Sequence, residues 1–413
     1  MSQVYLVLLV MGGLVLALGL VSRLSSRGPI TDPLVALILG VLIGPLGFGV
    51  LDPADWGDQT IIMEVAAEVT LAIGVMGAAL RLPGNSFWRE WRSMVILLGL
   101  VMPLMWLASG LIIQRVLHLP FWPSMLTGTV LTPTDLIVST SIVTSDIARR
   151  LVPKRLRHGL SAESGANDGL AWPLVFLPLL LQEGTLEPAL MEWLGRVVLW
   201  EIGGALLLAV VVGYGGGRLL RLAEIRHTIV EASLLDFTVA LTLAVLGLAS
   251  LLGINGVFAV FVTGIAFAAS TRDEQETEHE IQEAVNRFFL LPIFVLLGTM
   301  VPWQAWWDLG WAGGLIVALI LPLRRLPAML VLAKRMPIVR STRDVWFLGW
   351  FGPIGVAALY YASIARHEAG LEQAWVVASL VVCASVVVHG VSARPLTNWY
   401  GASAPRDNNS AGQ

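Results

Sequence analysis

Apolar runs of about twenty residues recur thirteen times along this chain, centred near residues 13, 42, 71, 103, 132, 170, 206, 240, 262, 295, 321, 355 and 383. Each is long enough to cross about 30 Å of hydrocarbon as a helix. The connections between them are short, and none holds a soluble domain. Composition points the same way: 56% hydrophobic, 13% charged and a mean hydropathy of +0.77, which a soluble core of 413 residues would not show. The expected fold class is an all-α polytopic membrane protein. Met1-Ser2-Gln3 lacks a basic segment and the first run is long, so that run reads as a retained helix. The lone Cys383 excludes an intramolecular disulfide and reads as a small core thiol.

The basic residues set the orientation. Taking alternate loops, 21 of the 26 arginines and lysines fall on one side, among them Arg81, Arg149, Arg150, Lys154, Arg155, Arg157, Arg218, Arg340 and Arg394. The other side has Arg115, Arg196 and Arg366. The first side is then cytoplasmic, with the N-terminus outside and the tail, residues 401–413, inside. Opposite ends demand an odd number of spans, which agrees with thirteen. The remaining pair, Arg324 and Arg325, lies within the run 309–332, where intramembrane carboxylates are the expected partners.

Those carboxylates sit mainly between Leu131 and Pro173. This stretch places Asp135, Glu163 and Asp168 far from either surface, where a charge costs about 3 kcal/mol on insertion scales. The fifth span is broken at Thr132-Pro133-Thr134-Asp135, because proline removes an intrahelical hydrogen bond. Freed carbonyls and the Thr134 hydroxyl are hard oxygen ligands for a small cation. On the sixth span, about 100° per residue puts Ser164 and Asp168 on one stripe and Glu163 and Asn167 on the neighbouring one. Asp168 with Ser164 then faces the break, and Glu163 faces a structural partner such as Arg324 or Arg325. On the third span Glu64 and Glu68 share a face; Glu68 is the deeper and a candidate for the cation path.

A second break, Gly352-Pro353-Ile354-Gly355, interrupts the twelfth span. The broken spans are seven apart and therefore run in opposite directions. Two six-helix inverted repeats, spans one to six and eight to thirteen, would produce this, with crossed interrupted helices at a midplane transport site. Asp135 is placed to compensate the positive N-termini that meet there. Other polar residues have plainer readings. Asp52, Asp55 and Asp58 form a solvated rim, Glu201 and Asp236 cap apolar runs, and His389 makes a satisfied polar contact. The stretch 184–200 lies partly outside the bilayer, and 272–286 forms an acidic surface helix on which Glu276, His279 and Glu283 share a face. Arg149 to His158 carries the topology signal.

TPTDLIVSTSIVTSD, LSAESGANDGLAWPL, GTMVPW at 298–303, RRLPAMLVL at 324–332 and WFGPIGVAALYYASIAR at 350–366 resemble the monovalent cation/proton antiporter superfamily. The fungal-type plasma-membrane Na+/H+ antiporters and their bacterial relatives look most similar, with NhaP-type antiporters next. The resemblance implies a homodimer in a cell membrane. Its interface part would come from spans 1–2 and 7–9, and its mobile core from spans 3–6 and 10–13. It implies Na+ (or Li+) held by Asp168, Ser164 and Thr134 beside Asp135, with Glu163, Asn167 and Arg325 in support. Two departures stand out: Leu136 replaces a common proline, and Ile354 occupies a place where many NhaP-type members have arginine. The fungal type's long tail has no counterpart after residue 413, so its tail-based regulation is not expected.

The expected function is exchange of Na+ or Li+ for H+ by alternating access. With Asn167 in place of a second acid, one-for-one electroneutral exchange is the simpler stoichiometry. A K+/H+ antiporter and a Na+-coupled symporter of a small organic anion are the alternatives. An intramembrane aspartyl protease built on Asp135 and Asp168 would leave the paired breaks and Arg324-Arg325 without a role. No cofactor, enzymatic activity or nucleic-acid partner is expected.

Overall fold

The structure is a computed structural model that describes residues 9, 12–13, 31–82, 90–135, 146–225, 233–271 and 290–402. The described residues form helices joined by turns and short extended segments, with no strand among them. In chain order they are α1 (Asp32–Ile43), α2 (Gln59–Leu80), α3 (Trp91–Leu117), α4 (Phe121–Val130), α5 (Asp146–Leu151) and α6 (Lys154–Glu183). Then comes α7, which runs without interruption through Leu186–Glu192, Trp193–Ile202 and Gly203–Ile225. After it lie α8 (Ser233–Leu251), α9 (Gly256–Ser270), α10 (Pro292–Thr299), α11 (Trp303–Leu309), α12 (Trp311–Leu323) and α13 (Leu326–Leu332). The last three are α14 (Thr342–Trp350), α15 (Val356–Ala369) and α16 (Glu372–Ala402).

Among the described residues, five helical runs are long and apolar enough to cross a membrane: Gln59–Leu80, Trp91–Leu117, Leu186–Leu222, Trp311–Arg335 and Glu372–Ala402. Outside the described residues lie all of the expected first span except residues 9, 12 and 13, together with residues 136–145 with Leu136, the acidic segment 272–286 and most of the 401–413 tail. The stretch after Gly184 is helical and continuous with the apolar run that follows it: Gly195 is tolerated and the lone Pro188 sits in the first turn of α7.

Local chemistry sets the ends. Asp58 accepts from the Thr60 and Ile61 N–H groups and caps α2, and Asn255 caps α9 by accepting from Phe258 N. These backbone N–H groups hold the exposed Asp58 carboxyl below its ordinary value, against a smaller opposing effect of burial. Ser341 and Asp344 form a capping box at the start of α14. Asp344 also joins three helices: it pairs with Arg155 of α6 at 2.8 Å and accepts from Tyr400 of α16 at 2.7 Å.

The helices touch at small residues. A methyl group on Gly40 of α1 would lie 2.1 Å from the Val295 carbonyl oxygen of α10, so these two helices meet backbone to backbone. The buried interior is built around α2, α6, α9, α15 and α16. The two interrupted segments cross inside it.

Candidate functional site

Helix α4 stops at Val130, and residues 131–135 leave the helix. Pro133 supplies no N–H, and the Thr132 hydroxyl bonds back to Gly128 O at 3.0 Å. On the other side α14 stops at Trp350, residues 351–355 are non-helical, and α15 starts at Val356. Asp135 N donates to Pro353 O at 2.8 Å, which fixes one non-helical segment on the other. A methyl group on Gly355 would lie 2.1 Å from Asp135 Oδ2, so only glycine admits this approach.

Helix ends concentrate partial charge at the crossing. At the positive end, Val356 N at the start of α15 donates to Asp135 Oδ2 at 2.7 Å. At the negative ends, the buried Arg324 guanidinium donates to the carbonyls of Leu131, Thr132 and Pro133 after α4, and of Gly352 after α14. This corrects one expectation: Arg324 takes four backbone carbonyls rather than a carboxylate. A guanidinium has five donors, and the unwound segments supply orphan acceptors within its reach.

Arg325 does pair with an acid. Its Nη1 and Nη2 donate to Glu163 Oε1 and Oε2 at 2.5 and 2.6 Å, and its Nε donates to Leu348 O at 2.7 Å. Pro322 and Pro327 interrupt the helix around the two arginines, which lets adjacent side chains reach different partners.

Residues of both stripes of α6 reach the 131–135 segment, Asn167 from the stripe of Glu163 and Ser164 from the stripe of Asp168. Asn167 accepts from Thr134 N at 3.2 Å and donates through Nδ2 to Thr134 Oγ1 at 2.6 Å. Thr134 Oγ1 lies 3.1 Å from Ser164 Oγ. Asp168, one turn beyond Ser164, is 1% exposed, and its Oδ1 has no hydrogen-bond partner among the described residues. The Tyr361 hydroxyl bonds to the Asp168 carbonyl rather than to its carboxylate. The helix-face argument therefore agrees with the geometry in turning Glu163 to Arg325 and Asp168 away from it.

Glu68 is half-buried beside α15, within 3.5 Å of the Tyr360 hydroxyl, whereas Glu64 lies nearer the surface and pairs with His367 at 3.4 Å. His389 is satisfied by Ser385 at 3.1 Å and by Trp350 O at 3.2 Å. Ser385 in turn accepts from Ile354 N at 2.8 Å and holds the second break. Asp236 is exposed in the first turn of α8. Glu201 is not an interfacial cap. It lies within the uninterrupted α7, buried, and bonds to Trp172 and Arg196. Sequence reasoning missed Tyr361, Ser385 and the Trp172 link; their only signal was polar or aromatic side chains inside apolar runs.

Comparisons with known proteins agree with this arrangement. A family described as the transmembrane sodium/hydrogen exchanger matches residues 12–399. Na+/H+ antiporter 2 of Zygosaccharomyces rouxii is 34% identical over 348 residues, 82% of this chain and 43% of that protein. The Na+/H+ antiporter of Saccharomyces cerevisiae is 32% identical over 82% of this chain and 35% of its own length. The chain thus spans less than half of these relatives. The solved structure of the sodium proton antiporter MjNhaP1 from Methanocaldococcus jannaschii superposes with a TM-score of 0.73 at 18% identity, covering 97% of this chain and 98% of that one, which shows a shared fold.

Proposed function

The chain belongs to the sodium/hydrogen exchanger family, and from that membership we propose that it exchanges Na+ or Li+ for H+ across a membrane by alternating access. One observation carries the reading. Asp168 is buried in the sixth span with an oxygen that has no partner among the described residues, one turn from Ser164 and its contact with Thr134. A buried carboxylate in that position needs either a proton or a cation.

The cation is cargo. Asp168, Ser164 and Thr134 offer it hard oxygens, and Asn167 fixes Thr134 by two hydrogen bonds. Asp135 and Arg324 balance the half-helix ends, and Glu163 with Arg325 braces the crossing; Glu68 flanks the route to it. When Asp168 holds a proton or a cation its charge is offset, and the loaded core crosses the apolar barrier. When it holds neither, the ionised acid keeps the core in place. That rule couples the two flows, because the carrier returns only when loaded with the other ion. One titrating carboxylate at the centre gives one proton per monovalent cation, an electroneutral exchange.

The full architecture belongs to the same proposal. Thirteen spans form two six-helix inverted repeats, with the core from spans 3–6 and 10–13 and a homodimer interface from spans 1–2 and 7–9. The protein lies in the cell membrane with its N-terminus outside and its C-terminus in the cytoplasm.

Proteoliposomes holding a preset pH gradient test this reading, with Na+, Li+ or K+ added in turn. Dissipation by Na+ and Li+ that disappears in Asp168→Asn is the expected result. Dissipation by K+ alone would make the protein a K+/H+ antiporter. Na+-driven uptake of a labelled organic anion without proton movement would make it a symporter.

A further inference from the structure

The helix that carries Asp168 is tied to its neighbour one turn beyond the carboxylate, and the tie ends on a buried acid that cation binding does not use. Trp172 follows Asp168 by four residues and shares its face of α6. Its ring packs 4.6 Å from that of Phe176 and 6.4 Å from those of Tyr360 and Tyr361. Its indole N–H donates to Glu201 Oε2 on α7. The other oxygen, Oε1, accepts from Arg196 Nε at 3.0 Å.

Two further bonds fix this corner. Trp193 Nε1 of α7 donates to Pro173 O of α6 at 2.6 Å, and Glu201 O accepts from Asn255 N, the cap of α9, at 3.1 Å. Glu201 is 5% exposed, whereas Arg196 and its second partner Glu192 are exposed. One side of the carboxylate is therefore held in the interior by an aromatic donor, and the other by a cation that water reaches. Bonds to an ionised acceptor are stronger than neutral ones yet open to competition wherever water enters.

We propose that Glu201 is a positioning residue of the transport cycle. Through Trp172 it holds the Gly184-ward half of α6 against α7 and closes Asp168 to that side. Opening that side requires the Trp172–Glu201 bond to break. This rests on the exchange reading above, in which α6 belongs to the moving core and α7 to the static part.

The test uses the full chain with Cys383→Ser and a single thiol introduced by Phe176→Cys, labelled in proteoliposomes by a membrane-impermeant maleimide from the Gly184 side. Loss of one such bond predicts an increase in labelling rate of about fivefold in Glu201→Ala. Trp172→Phe, which keeps the ring and loses the donor, should match it. The double variant should exceed neither, and Glu201→Gln, which keeps an oxygen toward the indole, should restore slow labelling. In transport, Glu201→Ala should change the Na+ KM measured from that side more than the maximal rate. Unchanged labelling in Glu201→Ala, or additive effects in the double variant, would overturn the proposal. Labelling needs no transport, so a wild type without exchange would refute the antiport reading while this test still decided the latch.

Discussion

Glu163 and Asp168 stand on one helix and are almost equally buried, at 3% and 1% exposed, yet their surroundings are opposite. Both oxygens of Glu163 are taken by Arg325 in a bidentate pair. Asp168 has an oxygen with no partner among the described residues. Burial sets the cost of a charge in the membrane, and its partners set its use. A carboxylate locked to a guanidinium cannot change counter-ion without breaking the fold. One left open must take a proton or a cation from outside the chain, which is what a carrier needs.

The strongest way to break this comparison is to neutralise each acid in turn. Asp168→Asn should reduce Na+-induced proton movement to the background of empty liposomes while the melting temperature holds or rises, since an unpartnered buried charge is removed. Persistent exchange would remove Asp168 from the carrier role. Glu163→Gln should do the reverse. It leaves Arg325 buried without its counter-charge and should cost about 3–5 kcal/mol, read as a large fall in melting temperature in detergent. Whatever folds should keep a Na+ KM near that of the wild type. Glu163→Leu combined with Arg325→Met should recover most of the lost stability, because the pair is removed as a unit. If the double variant is no better than the single, the pair does more than brace.

Smaller effects sharpen the contrast. Asp135→Asn removes the charge beside Val356 N at the start of α15 and should destabilise by about 1 kcal/mol, seen as a modest shift in melting temperature. The smallest effect lies at Asp344, outside the spans. Burial pushes its carboxyl upward, but Tyr400, the Arg340 N–H and Arg155 together hold it below its ordinary value of 3.8. A carboxyl depressed on folding contributes stability that is present above its unfolded value and lost as pH falls through the folded one. Melting temperature should therefore fall below about pH 4 in the wild type. That acid limb should be shallower in Asp344→Asn, and equal limbs would assign the acid sensitivity elsewhere.

Much of this was legible in the chain because periodicity and breakers act locally. Pro133 and the Gly352-Pro353 pair predict both interruptions, and the helical repeat separates Glu163 from Asp168 before any partner is known. The partner of Glu163 was narrowed to two adjacent arginines. What the sequence hid is side chains bonded to backbone far along the chain. Arg324 looked like a second counter-ion because a carboxylate is visible as a letter and an orphan carbonyl is not. Glu201 read as a cap because it enters an apolar run, and only the packing of α6 on α7 brings Trp172 to it. The continuity of α7 was equally hidden, since amphipathic residues before a span fit a surface stretch as well as a helix.

Arg324 has a mechanical consequence. One guanidinium grips the loose ends of two half-helices that lie far apart along the chain, so neither break can slide or rewind alone. The crossing behaves as a riveted joint. Under the proposed exchange, any displacement of the bound ion would carry the whole joint along, and the work of transport would fall on the surface where this block slides against its neighbours, with the hydrogen bonds inside it left intact.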